Sequence, residues 1–230
     1  MHPTALINGK RFFDAYAGSF PNATETLVLD IGAQDVNGSL KSVLPADFKY
    51  VGVDFVAGKN VDVVLTDPYV LPFETGTADI ILSSSCFEHA EMFWLSYLEI
   101  LRVLKPRSLF YLNVPSNGDF HPYPVDCWRF YPDSGGALRT WARRNGFDTV
   151  LLESYVSAQY KDIWNDFVAV FLKSEKFLPD FPKRILDSSP DITNGVVYGA
   201  TSFTEYSQSP EDRKKLRAVS MILNGELKVQ

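Results

Sequence analysis

Three carboxylates stand where apolar runs end. Asp30 closes "TLVLDI" (26–31), Asp54 closes "YVGVD" (50–54), and Asp67 follows "VDVVLT" (61–66). Asp30 leads into a turn with glycine near both ends, Gly32 and Gly38, and with Ala33 and Gln34 between them. Glycine lets backbone approach a ligand closely, so this stretch predicts a loop wrapped around a small molecule. In nucleotide-binding α/β folds an acid about twenty residues beyond the first glycine turn accepts the ribose hydroxyls. Asp54, followed by Phe55, holds that place. Asp67, flanked by Thr66 and Pro68, is placed to accept the exocyclic amine of an adenine. The spacing "GAQDVNG" departs from the G-x-G-x-x-G of the dinucleotide fingerprint, which puts a nicotinamide-binding domain second.

A second group of reactive side chains lies in "PSNGDFHPYPVDCWRFYPDSGG" (115–136), where prolines stiffen a run of aromatic and charged residues. An imidazole titrates near neutrality, so His121 can take a proton from a hydroxyl while Asp126 orients its ring. His89, just past "ADIILS" (78–83), is a second imidazole on the same rim. Tyr123, Trp128, Arg129 and Tyr131 are the candidates for contact with an acceptor, since aromatic faces stack on sugars and planar rings. A plain packing arrangement fits the same residues: a proline turn at His121, a loop ion pair between Asp126 and Arg129, a helix cap at His89, and an aromatic cluster under a long loop. The two cysteines, Cys86 and Cys127, lack zinc-ligand spacing, and the acids are spoken for by the ligand; no metal site is expected.

The elements that must position these residues alternate between apolar strands and amphipathic helices. "SLFYLNV" (108–114) is a further buried run, and "EMFWLSYLEILRVLKP" (91–106) places Phe93, Tyr97, Ile100 and Leu104 at helical spacing. Another helix is expected between Asp133 and Gly146. "FDTVLLESYV" (147–156) and "WNDFVAVFLKS" (164–174) follow with no room for a crossover, which predicts an antiparallel hairpin. The fold class is α/β: a doubly wound, Rossmann-like seven-stranded sheet, mostly parallel, with a C-terminal antiparallel hairpin. In such a sheet ligands bind beyond the carboxyl ends of the strands, where the three acids gather. Residues 1–174 form the predicted domain. Residues 175–230 read as a lid, a dimer arm or an appendage, with one helix from about Pro210 to Leu223, so a homodimer stays open.

With 22 basic against 28 acidic residues the net charge is −6, and no overall positive field invites nucleic acid. No apolar run is long enough to span a bilayer, and two cysteines suit a reduced, cytoplasmic setting.

Taken in order, "VLDIGAQDVNG", "VGVD", "LTDPYVLPFETGTADIILSSSCFEH" and "LEILRVLKPRSLFYLNVP" resemble the motifs of class I S-adenosylmethionine-dependent methyltransferases of the type 11-like kind, over about residues 26–173. The resemblance implies S-adenosylmethionine as cofactor. Asp30 and Gly32 would hold its methionine end, Asp54 its ribose and Asp67 its adenine amine, with Ser84 or Cys86 near the sulfonium. The "HPYP" and "D-x-WRF-x-PD" stretches are similar to a subgroup associated with glycan modification, which implies a sugar hydroxyl as acceptor. A small-molecule acceptor, an NAD-type oxidoreductase and a non-catalytic cofactor-binding domain are the alternatives.

Overall fold

The computed structural model describes residues 2–208 and 211–227. Its centre is one sheet of eight strands: β1 (Leu27–Ile31), β2 (Lys49–Asp54), β3 (Val63–Val64), β4 (Ala78–Ser84), β5 (Leu104–Pro115), β6 (Val150–Ser157), β7 (Asp166–Leu172) and β8 (Ile192–Val197). Their order across the sheet is β3-β2-β1-β4-β5-β7-β6-β8. The first five run parallel, and β7, β6 and β8 continue antiparallel.

The hairpin is as expected, but the sheet has eight strands rather than seven. The eighth comes from beyond residue 174, where apolar residues too scattered to show a period are used in packing. Phe181 and Ile185 are fully buried against the sheet. The buried carboxylate of Glu153 fixes this segment, accepting from the backbone N–H of Ile185 (2.8 Å) and Leu186 (3.0 Å) and from the Tyr16 hydroxyl.

Alternate residues of the central strands serve opposite faces, as the pleat requires. Phe110, Leu112, Phe167, Ala169 and Phe171 face α2 (Phe93–Val103) and α3 (Ser134–Arg144). Leu109, Tyr111, Val168 and Val170 face the other way, toward Phe12 and Tyr16 of α1 (Pro3–Tyr16). That first helix was not anticipated. It carries Pro at its start and Gly9 in its middle, where a Cβ would sit 2.4 Å from Leu40. Its buried stripe of Ala5, Asn8, Phe12 and Tyr16 has helical spacing.

No α-helix separates β1 from β2 or β3 from β4. The chain instead turns through a short 3-10 segment, Leu40–Val43, leaving the rim beyond β1 and β2 open. The last helix, α4 (Glu211–Leu223), matches expectation, with Pro210 outside the described residues. Among the described residues no helix is long and apolar enough to cross a membrane.

Phe181 packs 5.8 Å from the Phe20 ring and beneath the Arg107 guanidinium, 5.2 Å away. Phe181→Ala should therefore lower unfolding free energy by about 3–5 kcal/mol in a urea titration. A loss under about 1 kcal/mol would mean that this segment is not part of the cooperative unit.

Candidate active site

The parallel strands all exit at one edge, and two loops meet there. In the first, the N–H groups of Gly32 and Ala33 donate to the carbonyl of Val53 at 2.9 and 3.2 Å. The Asp54 carboxylate then accepts from Gln34 N–H and Val56 N–H, both at 3.1 Å, so one buried acid holds the glycine loop and the exit of β2 together. Gly32 and Gly38 have positive φ, +84° and +119°. Gly38 donates to Asp35, whose other oxygen meets Lys59 at 2.5 Å. Asp30 is buried and accepts from the Tyr50 hydroxyl at 2.9 Å. Burial, opposed by that bond and reinforced by the charge of Asp54, pushes its carboxyl up to about 7.

The other expected cofactor residues flank this loop. Ala33 is buried and Phe55 is exposed. Thr66, Asp67 and Pro68 lie in an exposed loop after the short β3, where one Asp67 oxygen accepts from Tyr69 N–H at 2.9 Å. Ser84 ends β4 with its hydroxyl buried and unpartnered. Cys86 lies directly against Gly32, and burial pushes its thiol up to about 12, which keeps it protonated.

The second loop carries the acceptor candidates. His89 ends a short 3-10 turn, Phe87–His89, and its Nδ1 donates to the carbonyl of Val125 at 2.6 Å. The Nδ1 of His121 is 2.9 Å from the carbonyl of Asp119. The two rings stand nearly perpendicular, 5.1 Å apart. Asp126 accepts two bonds from Arg129, at 2.6 and 2.8 Å, and one from the His121 N–H at 2.8 Å. The Arg129 bonds, above all, hold the Asp126 carboxyl down at about 2. Asp126 is thus the anchor of the loop, with His121 Nδ1 at 3.3 Å.

Tyr123 crosses to the first loop, donating to the Gln34 amide oxygen at 2.6 Å. Trp128 and Arg129 line a cavity of about 420 Å³ with Phe93, Trp94, Leu138 and Trp141, behind the loop and away from the glycine turn. Tyr131 is exposed.

Several residues here escaped the sequence reading. Glu88 is buried between its two loop neighbours: its carbonyl accepts from Cys127 N–H at 2.7 Å and from Trp128 N–H at 3.3 Å, while its carboxylate sits 3.8 Å from His89 Nε2. Its place beside His89 on a strand exit was the available signal. Trp164, from the turn before β7, packs edge-on 4.9 Å from His121 and tilted 4.7 Å from His2 ahead of α1.

Comparison with known proteins bears on the fold that carries this geometry. Residues 29–112 match the methyltransferase domain family. The solved structures similar to this chain include 1,6-didemethyltoxoflavin-N1-methyltransferase from Burkholderia thailandensis, with bound S-adenosylhomocysteine (16% identity, TM-score 0.51, covering 75% of this chain and 85% of that one). They also include a sarcosine dimethylglycine methyltransferase assignment from Galdieria sulphuraria (15%, 0.53, 74% and 86%). A third is the [4+2]-cyclase SpnF (14%, 0.53, 72% and 80%). No curated protein matches in sequence. The fold is that of the class I methyltransferases, a fold that the cyclase shares.

A Cβ at residue 32 would lie 2.6 Å from the Cys86 Cβ, at a φ that disfavours any side chain. Gly32→Ala should destabilise the protein by about 1–3 kcal/mol in denaturant unfolding. Adding Cys86→Gly should recover part of that loss; strict additivity of the two changes would contradict the contact.

Proposed function

We propose that this chain is an S-adenosylmethionine-dependent O-methyltransferase acting on a sugar hydroxyl of a glycan or glycoconjugate. The observation that carries the reading is the joining of two loops in one cleft: Gly32 rests on Cys86, two residues before Glu88, and Tyr123 reaches Gln34. The matched methyltransferase domain supports the reaction class.

The first loop suits the cofactor. Gly32 and Gly38 hold the loop in left-handed backbone, the exposed Phe55 offers a face to a purine, and the buried Ser84 hydroxyl lacks a partner. When bound, the cofactor supplies a methyl group on a positively charged sulfur. Asp54 keeps lone pairs for ribose hydroxyls beyond those used by Gln34 and Val56, and the second oxygen of Asp67 is available to an amine. Asp30 and Gly32 serve the methionine end, with Ser84 and Cys86 at the floor.

On the acceptor side, a hydroxyl becomes a nucleophile by losing its proton. Because a carbonyl only accepts, the Nδ1 of His89 carries hydrogen, which leaves its Nε2 with a free lone pair, while the Nδ1 of His121 faces the Asp119 carbonyl at 2.9 Å and Arg129 Nη2 at 3.4 Å. Burial holds His89 below the usual imidazole range, so it is neutral at pH 7. Activation of the hydroxyl is assigned to this imidazole pair, with His121 the member open to the acceptor. Asp126 fixes the backbone of His121 and so acts by positioning. Trp128 and Tyr131 present faces to a sugar ring, and alignment with exclusion of water supplies the rest. A planar small molecule is the second reading, favoured by the three tryptophans of the 420 Å³ cavity.

Calorimetry with S-adenosylhomocysteine and with NAD separates the classes: binding of the first alone is expected, and binding of NAD alone would make the chain an oxidoreductase. Asp54→Ala should weaken S-adenosylhomocysteine by about 2–3 kcal/mol, the loss of two hydrogen bonds to a carboxylate. An affinity within about twofold of wild type would remove the ribose assignment.

His121→Ala should slow methyl transfer by roughly 10²–10⁴ with little change in cofactor affinity. Near-full turnover of sugar acceptors by the variant would place activation elsewhere.

A further inference from the structure

We propose that Glu88, His89 and His121 form a binding site for a first-row divalent transition-metal ion, with zinc as the type case. The proposal replaces the expectation of no metal, and it rests on the function proposed above only for the role of the ion.

One ligand atom from each of the three side chains falls within 4.8 Å of the others. Bonds of about 2.0–2.2 Å to nitrogen and oxygen need ligand atoms about 3.0–3.5 Å apart, so a shift of roughly an ångström closes the set. His121, one-third exposed on a loop, is the member free to make it. His89 already has the outer bond that metal-bound histidines use, Nδ1–H to a carbonyl, which orients the ring and leaves Nε2 to the ion, and the His121 Nδ1 likewise lies 2.9 Å from a carbonyl.

Glu88 supplies the independent observation. Its side chain is 1% exposed, and its Oε2 has no hydrogen-bond partner. A carboxylate taken out of water without a cation or donor is strongly disfavoured. The Arg129 guanidinium spends both terminal nitrogens on Asp126, and its buried Nε has no partner. Burial is the largest cost to this carboxylate, and a second buried acid, Asp166, adds repulsion. A bound cation removes that penalty.

Two imidazoles and one carboxylate select zinc, iron(II), manganese, cobalt or nickel over magnesium or calcium, which prefer all-oxygen shells. Three protein ligands leave at least one position open, the arrangement of sites that exchange ligands rather than only brace a fold. The acceptor hydroxyl takes that position. Its proton then leaves to water, its oxygen forms the bond to the methyl carbon, and the carbon–sulfur bond breaks to give a neutral thioether. The imidazole pair then activates the hydroxyl through the ion it holds, so loss of His121 slows transfer by this route as well.

The test uses untagged full-length protein stripped with chelator. Titration with Co²⁺ should give visible ligand-field absorption at one equivalent, and calorimetry with Zn²⁺ should give one site. Millimolar Mg²⁺ should not compete. Glu88→Gln and His121→Ala should each weaken Zn²⁺ by roughly 100-fold or more. Because Glu88 is buried, circular dichroism checks its fold, and His121→Ala on the loop serves if that variant does not fold. Wild-type affinity no tighter than that of His121→Ala, or one-to-one binding that persists in a His89→Ala/His121→Ala double variant, overturns the site. S-adenosylhomocysteine is titrated separately: zinc binding without it would retain the metal site and remove the methyltransferase reading.

Discussion

Residue 32 has no room for a side chain. The backbone there lies against Cys86, so the loop leaving β1 is located by the exit of β4 and by nothing it could contact in solvent. Asp54 then stitches the same loop to the exit of β2 through two N–H groups. Three strand exits are thus held in register by one packing contact, one carboxylate and the bonds from Gly32 and Ala33 N–H to the Val53 carbonyl. The ligand rim of a parallel sheet is ordinarily a consequence of topology; here it is also held by named atoms. The loop needs no long helix behind it, and only a 3-10 turn follows.

The acceptor side depends on a different support. Asn8 of α1 donates to Asn113 at the end of β5 and to Ser157 of β6, and accepts from Tyr155, all within a buried polar layer. A little earlier in the chain, His2 packs against Trp164, whose ring meets His121 edge-on. The first helix therefore braces the floor of one half of the cleft and touches the loop that closes it. Buried polar layers of this kind are favourable only when their members are paired, so they specify a single arrangement. Glu88 Oε2 is one of several buried polar atoms without a partner, Asn113 Nδ2 of this layer and Asp166 Oδ2 among them.

Legibility in the sequence followed burial pattern. Strands buried on both faces announce themselves as unbroken apolar runs, and "ADIILS" and "SLFYLNV" became β4 and the end of β5. The hairpin was forced by the short link between its arms. "VDVVLT" was only half a strand, since β3 at the sheet margin pairs through Val63 and Val64 alone. The eighth strand was hidden because Phe181, Ile185 and Ile192 are separated by turns, leaving no period to detect. In the site, the position of Asp54 could be read from an interval. The importance of Glu88 could not, because its isolation from water and from Arg129 is a property of the packed loop. Asp126 was legible as a partner of both His121 and Arg129, and the structure gives it both.

Tryptophan placement has an optical consequence. The chain has four tryptophans. Trp94, Trp128 and Trp141 surround the cavity behind the acceptor loop, and Trp164 lies on His121. No tryptophan lies on the glycine loop or at Asp54. Intrinsic emission is therefore a reporter of one half of the cleft: occupants of the acceptor half change it through direct ring contact, while occupants of the other half reach it only by moving the loop through Tyr123 and Gln34. Emission thereby separates events on the tryptophan-lined side from events at the glycine loop.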